Sequence, residues 1–178
     1  MKELAGLEIN LNCPYGNMAV PSYWKNIDQV TELIIRTKKA ARDKILWFKA
    51  PTAEYPVKEI VAAVQENGGY AIDIETRKFR CGSWGGGGYS GPALKPYAIM
   101  CTHNSSKNAK IPVIGSGGIV CAKDVIEHIM AGAHAVQVGS ANLMRPDFMA
   151  RLIEELEALM DQMHIESLDE IRGCAKYL

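Results

Sequence analysis

Apolar and polar positions alternate along the chain with two periodicities. Short apolar runs are typical of β-strands, and the predicted strands cover residues 7–11, 45–48, 111–114 and 135–138. Apolar residues at helical spacing separate them, and the predicted helices cover residues 23–41, 56–67, 123–131 and 147–160. Because strands that alternate with helices pair in parallel through right-handed crossovers, the pattern predicts an α/β fold.

Local signals refine several of these elements. Residues 45–48 are all apolar, which is typical of a strand buried on both faces. Asp147 is placed to cap the helix that follows it. Residues 167–170 form a capping box that opens a short last helix. In residues 123–131, four apolar side chains are predicted to face inward: Val125, Ile126, Ile129 and Met130.

The alternation weakens in the middle of the chain. A strand is expected near residues 70–74, although the pattern fits one only weakly. Residues 76–95 are typical of a loop and include four consecutive glycines. A helix is expected over 96–110, despite the low helix propensity of residues 104–108.

Composition excludes several classes of protein. The chain has 178 residues with 20 Lys+Arg and 20 Asp+Glu, so it lacks the cationic excess of nucleic-acid-binding or membrane-surface proteins. No apolar run approaches the ~18–20 residues that span a bilayer, and the first residues do not resemble a signal peptide. We therefore expect a cytoplasmic protein. The five cysteines and four histidines show no metal-ligand spacing, so no metal site is predicted.

Two glycine-rich turns are the strongest candidate chemistry. Gly117 and Gly118 follow the predicted strand 111–114, and Gly139 and Ser140 follow the next strand. Glycine lets backbone N–H groups approach an anion, and loops after the last two strands of a (β/α)8 barrel often share one phosphate site. A single turn of this kind is explained by a tight connection alone. Two successive turns favour phosphate.

Polar residues at the ends of the first two strands are further candidates. Lys49 follows strand 45–48, where a side chain points into a barrel mouth; a surface lysine is the alternative. Asn10 and Cys13 lie at the end of the first strand. A thiol with a lowered pKa acts as a general base, and an amide binds a polar substrate. Spacing alone favours a buried cysteine in a tight turn.

Five segments, in order along the chain, resemble class 1 dihydroorotate dehydrogenases. They are LEINLNCP at 7–14, AIDIETRK at 71–78, YSGPALKP at 89–96, IPVIGSGGI at 111–119 and MAGAHAVQVGSAN at 130–142. Residues 72–78 are most similar to class 1B catalytic subunits. The resemblance implies an FMN enzyme on a (β/α)8 TIM barrel, a flavoprotein oxidoreductase that oxidises dihydroorotate to orotate in pyrimidine biosynthesis.

The resemblance also implies roles for individual residues. Cys13 is the implied catalytic base for the C5 proton, and Asn10 the implied substrate-binding residue. The implied FMN contacts are Lys49, Ser90, Gly91, Gly117, Gly118, Gly139 and Ser140. Class 1B enzymes pair with a subunit that carries FAD and a [2Fe–2S] cluster, so such a partner is expected, together with a homo-oligomer.

Departures from the family pattern leave alternatives open. The first strand corresponds to the fourth of the barrel, the sixth strand is missing between Gly68 and Tyr70, and Tyr15 replaces a substrate asparagine. A barrel typically needs ~250 residues. We therefore expect residues 1–178 to form one incomplete FMN-binding barrel domain that lacks the N-terminal strands. The alternatives are a non-catalytic remnant that retains a phosphate or nucleotide site, and a dihydropyrimidine dehydrogenase-type flavin domain.

Overall fold

A computed structural model describes residues 5–10, 27–42, 44–49, 72–79 and 90–176. The chain divides into two compact units, Met1–Ala62 and Ala63–Leu178. Within the described residues, no helix is both long enough and apolar enough to cross a membrane. The predicted helix 56–67 and the proposed deletion between Gly68 and Tyr70 lie outside the described residues.

The first unit contains two parallel strands and a helix. Strand β1 (Gly6–Asn10) pairs with strand β2 (Ile45–Lys49) in register, from Gly6 opposite Ile45 to Asn10 opposite Lys49. Helix α1 (Ile27–Ala41) lies between them in sequence and packs against β2. Both strand predictions and the described part of the helix prediction are confirmed. The parallel pairing is the connection that strand–helix–strand alternation favours.

The expectation that residues 45–48 are buried on both faces is wrong for the residues described. Ile45 is 60% exposed and Trp47 is 37% exposed, whereas Leu46 and Phe48 are half-buried. Successive side chains of a strand point to opposite faces. Since the side chains on one face of β2 are exposed, the described part of this unit covers only its other face.

The second unit begins with a short antiparallel hairpin. Strand β3 (Ile72–Asp73) pairs with strand β4 (Lys78–Phe79), and the turn between them includes Arg77 at φ 55°. The weak strand signal near residue 70 therefore belongs to a hairpin. The prediction of a loop over residues 76–95 is wrong at both ends, because Lys78 and Phe79 pair with β3 and residues Pro92–Leu94 form a 3-10 helix.

The rest of this unit follows the predicted helix–strand alternation. Its elements are a 3-10 helix (Pro92–Leu94), α2 (Lys95–Asn108), β5 (Ile114–Ser116), α3 (Ala122–Met130), β6 (Ala135–Gln137), α4 (Ser140–Met144), α5 (Phe148–Gln162) and α6 (Leu168–Ile171). Strands β5 and β6 pair in parallel, with Ser116 opposite Gln137. The expected α/β architecture with parallel strands and flanking helices is therefore present in both units.

Two of these elements show where local propensity misleads. Helix α2 forms despite its polar C-terminal half because Ala98 and Thr102 are buried, and tertiary packing outweighs intrinsic propensity. The strand predicted at 111–114 is instead β5, three residues later. Pro112 has no N–H for a strand ladder, and Ile111 is 72% exposed.

Helix α3 lies at the centre of the hydrophobic core. Val125, Ile126 and Ile129 are buried as predicted, while Met130 is half-buried. Helices α2, α5 and α6 and strands β5 and β6 all contact α3. The core cluster comprises Ile119, Ala122, Val125, Ile129, Ala133 and Leu152. This enclosure means that α3 holds the position of the elements around it.

The helix ends confirm one cap and revise another. Ser167 Oγ accepts from the Asp169 N–H at 3.2 Å, and Glu170 accepts from the Ser167 N–H at 2.9 Å, so the predicted capping box is present. Asp147 occupies the N-cap position of α5, but its carboxylate makes no capping hydrogen bond. It pairs instead with Arg151 at 2.7 Å.

The segment after α6 closes the C-terminal end of α3. The Gly173 N–H donates to the Ile129 carbonyl at 3.0 Å, and the Ala175 N–H donates to the Met130 carbonyl at 3.2 Å. The last carbonyls of a helix have no partner within the helix. Residues distant in sequence therefore complete the hydrogen bonding of α3.

Candidate functional site

The turn after β5 requires glycine for structural reasons. Gly117 has φ 116° and Gly118 has φ 76°, a region in which other residues are strained. A Cβ on Gly118 would lie 2.6–2.7 Å from the Lys95 backbone and Cβ, and one on Gly117 would lie 2.9 Å from the Ala98 Cβ. Backbone conformation and packing against α2 account for both glycines without a ligand.

The turn after β6 differs. Gly139 has φ −109°, and no described atom lies within 4 Å of the position where its Cβ would be. Gly139 and Gly118 each lie two residues beyond the paired residues Gln137 and Ser116, and parallel strands end at the same edge. Neither a left-handed φ nor close packing requires glycine at 139, so open space is present beside that backbone.

The segment Ser90–Gly91 leads into the same edge. Gly91 has φ 89° and accepts a hydrogen bond from the Leu94 N–H at 3.0 Å. Leu94 Cδ2 would lie 3.3 Å from a Cβ on Gly117, and Lys95 packs on Gly118. The structure therefore brings the 3-10 helix that follows Ser90–Gly91, together with the first residue of α2, against the Gly117–Gly118 turn.

A buried carboxylate joins α2 to α3 beside this turn. Asp124 accepts from Lys95 Nζ at 2.7 Å, from the Val120 N–H at 2.8 Å and from the Cys121 N–H at 3.1 Å. Burial alone would raise the pKa of Asp124, but these hydrogen bonds and the Lys95 charge outweigh burial and lower it. The hydrogen bonds to Asp124 and Glu127 raise the pKa of Lys95. The pair is therefore ionised at neutral pH.

A buried histidine of α3 contacts the Gly117–Gly118 turn. His128 is completely buried; its Nδ1 lies 3.1 Å from Thr102 Oγ1, and its Nε2 lies 3.2 Å from the Gly117 carbonyl oxygen. Burial lowers the pKa of His128 and favours the neutral ring. The sequence pattern predicted no functional role for His128. Its position four residues after Asp124, on the apolar face of a predicted helix, is the signal that would have indicated burial.

In the first unit, two predicted site residues are neighbours. Asn10 and Lys49 are the last residues of β1 and β2 and lie opposite each other in the register. Both are exposed. This adjacency agrees with the expectation that the carboxyl ends of parallel strands present polar side chains together. Cys13 lies outside the described residues.

The described residues contain no group of three or more His, Cys, Asp or Glu side chains arranged to hold a metal ion. Within the same ranges Cys101, Cys121 and Cys174 are free thiols, and burial raises the pKa of Cys101. The potential donors at the edge of β5 and β6 are backbone N–H groups and the Ser140 hydroxyl. Such donors bind phosphate oxygens.

Comparison with known proteins identifies similar sequences and folds. The sequence profile of the dihydroorotate dehydrogenase family matches residues 4–160. The catalytic subunit of dihydroorotate dehydrogenase B (NAD(+)) from Solidesulfovibrio magneticus is 37% identical over 181 residues, covering 96% of this chain and 59% of that protein. The corresponding subunit from Maridesulfovibrio salexigens is 35% identical, covering 97% and 60%.

A solved structure is similar in fold. Ligand-free dihydroorotate dehydrogenase from Eimeria tenella gives a TM-score of 0.69 at 21% identity, covering 98% of this chain and 56% of that one. This chain spans about three fifths of the length of the curated relatives named above. The resemblance drawn from the five sequence motifs is confirmed.

Proposed function

Because this chain belongs to the dihydroorotate dehydrogenase family, we propose that it is the C-terminal part of a class 1B catalytic subunit. We propose that residues 1–178 form one domain, a partial (β/α)8 barrel. The parallel pairs β1–β2 and β5–β6 support this fold, as does the similarity to the Eimeria tenella structure. The proposed activity is the oxidation of dihydroorotate to orotate in pyrimidine biosynthesis.

The cofactor that we propose is FMN, with its phosphate at the edge formed by the turns after β5 and β6. The open space beside Gly139 is the observation that carries this assignment, because neither φ nor packing explains a glycine there. FMN, when bound, would accept the hydride from the substrate. The residues proposed to contact it are Lys49, Ser90, Gly91, Gly117, Gly118, Gly139 and Ser140.

The proposed substrate chemistry lies at the ends of β1 and β2. Asn10 donates or accepts hydrogen bonds through its amide and would orient the polar ring of dihydroorotate. The Lys49 ammonium, opposite Asn10 in the register, would add a positive charge beside it. Cys13, three residues after Asn10, is the proposed base that removes the C5 proton. This role rests on the sequence motif.

The test of the proposed function is flavin binding followed by turnover. Purified protein is titrated with FMN, and quenching of flavin fluorescence gives the Kd. We expect saturable binding. Gly139→Ala should leave the urea unfolding midpoint unchanged and weaken FMN binding at least about tenfold, because a methyl group enters the space proposed for phosphate. Unchanged affinity in this variant would remove the Gly139 assignment.

Substrate turnover tests the catalytic assignment separately. Cys13→Ser should slow dihydroorotate oxidation by at least about 100-fold with FMN still bound, since a positioned general base contributes about 10²–10⁴-fold. Asn10→Ala should weaken dihydroorotate binding. Turnover at the wild-type rate in Cys13→Ser would exclude this thiol as the base.

We also propose the partners that such a subunit requires. These are a second copy of the chain in a homo-oligomer, and an electron-transfer subunit with FAD and a [2Fe–2S] cluster. The proposed location of the assembly is the cytoplasm. The names of the relatives, which describe a catalytic subunit of an NAD(+)-type enzyme, support a multi-subunit assembly. The free thiols among the described residues support a reducing compartment. Co-purification with a flavin–iron–sulfur subunit tests the assignment.

A second candidate function is a non-catalytic remnant that retains a phosphate or nucleotide site. The exposed face of β2 favours it, because the strands of a complete barrel are covered on both faces. The two candidates differ in the FMN titration. Binding of inorganic phosphate or a nucleotide without FMN binding would favour the remnant.

A further inference from the structure

The hydrogen bonds of His128 fix which ring nitrogen carries the proton. A carbonyl oxygen only accepts, so Nε2, 3.2 Å from the Gly117 oxygen, must be the protonated nitrogen. In the neutral ring Nδ1 is then an acceptor, and the Thr102 hydroxyl, 3.1 Å away, donates to it. Thr102 therefore donates to His128, and His128 donates to Gly117.

This chain of hydrogen bonds determines the orientation of the next peptide group. The Gly117 carbonyl and the Gly118 N–H belong to one planar trans peptide, in which the two bonds point in opposite directions. Since the carbonyl is held toward His128 in the core, the Gly118 N–H points away from that ring. Two glycines with positive φ have wide conformational freedom, so an anchor of this kind selects one conformation among several.

Strand β5 is shaped to admit the histidine ring. A Cβ on Gly115 would lie 2.6 Å from His128 Nδ1 and 3.0 Å from its Cγ, so only glycine leaves room for the imidazole. The three glycines of the motif thus divide into two groups. Gly117 and Gly118 form the turn, whereas Gly115 makes space for the residue that contacts the turn.

We propose that His128, supported by Thr102, is a positioning residue that orients the Gly117–Gly118 turn for an anionic ligand. This inference rests on the proposed function, in which the ligand is the FMN phosphate. His128 contacts no part of that ligand itself; it acts through the Gly117 carbonyl. The turn then presents the Gly118 N–H in a fixed direction, so less conformational freedom is lost on binding.

The first test reads the ring and the turn without any cofactor. In protein labelled with ¹⁵N-histidine and ¹⁵N-glycine, NMR should show the His128 ring as the Nε2–H tautomer, and His128→Leu should shift the Gly118 amide resonance. His128→Gln, whose side-chain amide can donate to the Gly117 carbonyl, should leave the Gly118 resonance close to its wild-type position. The Nδ1–H tautomer, or a Gly118 resonance unmoved in His128→Leu, would overturn the proposal.

The second test measures FMN affinity. We expect His128→Leu to raise the FMN Kd about tenfold and Thr102→Val about threefold, whereas His128→Gln stays within about twofold of wild type. Ser106→Ala is the matched control, because it also removes an α2 hydroxyl, one that is half-buried and lies 2.9 Å from each of the His103 and Ala131 carbonyl oxygens. A weakening in Ser106→Ala equal to that in Thr102→Val would overturn the proposal.

The two tests separate this proposal from the proposed function. If the wild-type protein binds no FMN, the proposed cofactor is wrong, and the NMR comparison of His128→Leu with His128→Gln alone decides the positioning role. If His128→Leu does not fold, Thr102→Val provides the same comparison with an isosteric side chain. In that case a Gly118 amide resonance that shifts no more in Thr102→Val than in Ser106→Ala contradicts the proposal.

Discussion

Strand β2 has the more apolar sequence, but helix α3 is the more buried element. In α3, Val125 and Ile129 are 3% and 1% exposed, whereas Ile45 of β2 is 60% exposed. Three helices and two strands contact α3, and all of these lie within one compact unit. Among the described residues β2 pairs only with β1. Apolar composition identifies candidate core residues, but the elements packed on each face decide their burial.

Polar side chains also differ in burial between the second unit and the first. Asp124 is almost fully buried and has four donors: Lys95 Nζ, two backbone N–H groups and the Cys121 thiol. The α1 pair Arg36–Glu32 joins side chains that are 78% and 69% exposed. A buried carboxylate without a partner destabilises a fold, while an exposed ion pair contributes little. The enclosed unit is therefore where substitution of a polar residue should have large effects.

The largest expected effect comes from a matched pair of isoleucines. Ile129→Ala should lower the free energy of unfolding by about 2–5 kcal/mol because it opens a cavity in the core. Ile35→Ala, also in a helix but at a site 61% exposed, should change it by less than about 0.5 kcal/mol. Urea unfolding followed by circular dichroism measures both. Equal losses would mean that the burial contrast between α3 and α1 is wrong.

Next in size is the loss of the buried carboxylate. Asp124→Asn should destabilise the second unit by about 1–3 kcal/mol, since it removes the charge that holds Lys95 and replaces one acceptor oxygen by an NH₂ donor. Glu127→Gln is the control: it contacts the same lysine, but its side chain is 48% exposed, and we expect less than about 1 kcal/mol. Urea midpoints that rank the two variants in the opposite order would contradict the assignment.

The buried histidine should give a pH dependence of intermediate size. Its folded pKa lies below the unfolded value of about 6.5, so the unfolded chain binds more protons as the pH falls below that value. Stability should therefore decrease below about pH 6.5, by at most about 1.4 kcal/mol per pH unit. Asp124 and Glu127 on α3 and Lys95 on α2 are the charged groups that act on the ring.

The histidine variant isolates this contribution. His128→Gln should abolish the decrease between about pH 6.5 and pH 5, measured as urea midpoints at several pH values. Below that range, loss of stability is expected in both proteins, because the lowered pKa of Asp124 stabilises the fold only while this carboxylate is ionised. Parallel pH profiles for wild type and variant between pH 5 and 6.5 would exclude His128 as the cause.

The smallest effect is expected at the exposed ion pair. Glu32→Gln should change the free energy of unfolding by less than about 0.5 kcal/mol, and 0.5 M salt should reduce even that change, because exposed charges are screened. Thermal unfolding at two salt concentrations provides the measurement. A loss comparable to that of Asp124→Asn would show that exposure does not separate the two pairs.

Sequence patterns predicted the fold best where the pattern is local. The inward face of α3 and the Ser167 capping box follow from side chains within a few residues of one another. The hairpin at Ile72–Phe79 and the displacement of β5 past Pro112 could not be predicted in the same way. They depend on which strands are available as partners, which single-sequence periodicity does not encode.

The candidate site was predicted unevenly for the same reason. Asn10 and Lys49 were each predicted at a strand end, and the parallel pairing of β1 with β2 makes them neighbours. The sequence could not show which glycines are structural. Gly118 is required by its contact with Lys95, whereas no described atom packs at the Cβ position of Gly139. The contact of His128 with Gly117 joins residues that the sequence pattern treats as core and loop. The role of Cys13 stays a prediction.

The segment after α6 has a consequence for how the chain acquires its structure during synthesis. The Met130 carbonyl leaves the ribosome well before Ala175, its hydrogen-bond donor, and the Ile129 carbonyl leaves well before Gly173, its second donor after Gly132. Until Ala175 emerges, the Met130 carbonyl depends on water for its hydrogen bond, whereas the Ile129 carbonyl already accepts from the Gly132 N–H. The helix that carries Asp124 and His128 is thus completed late, so a nascent chain stalled before residue 173 should present an α3 that frays at its C-terminal end.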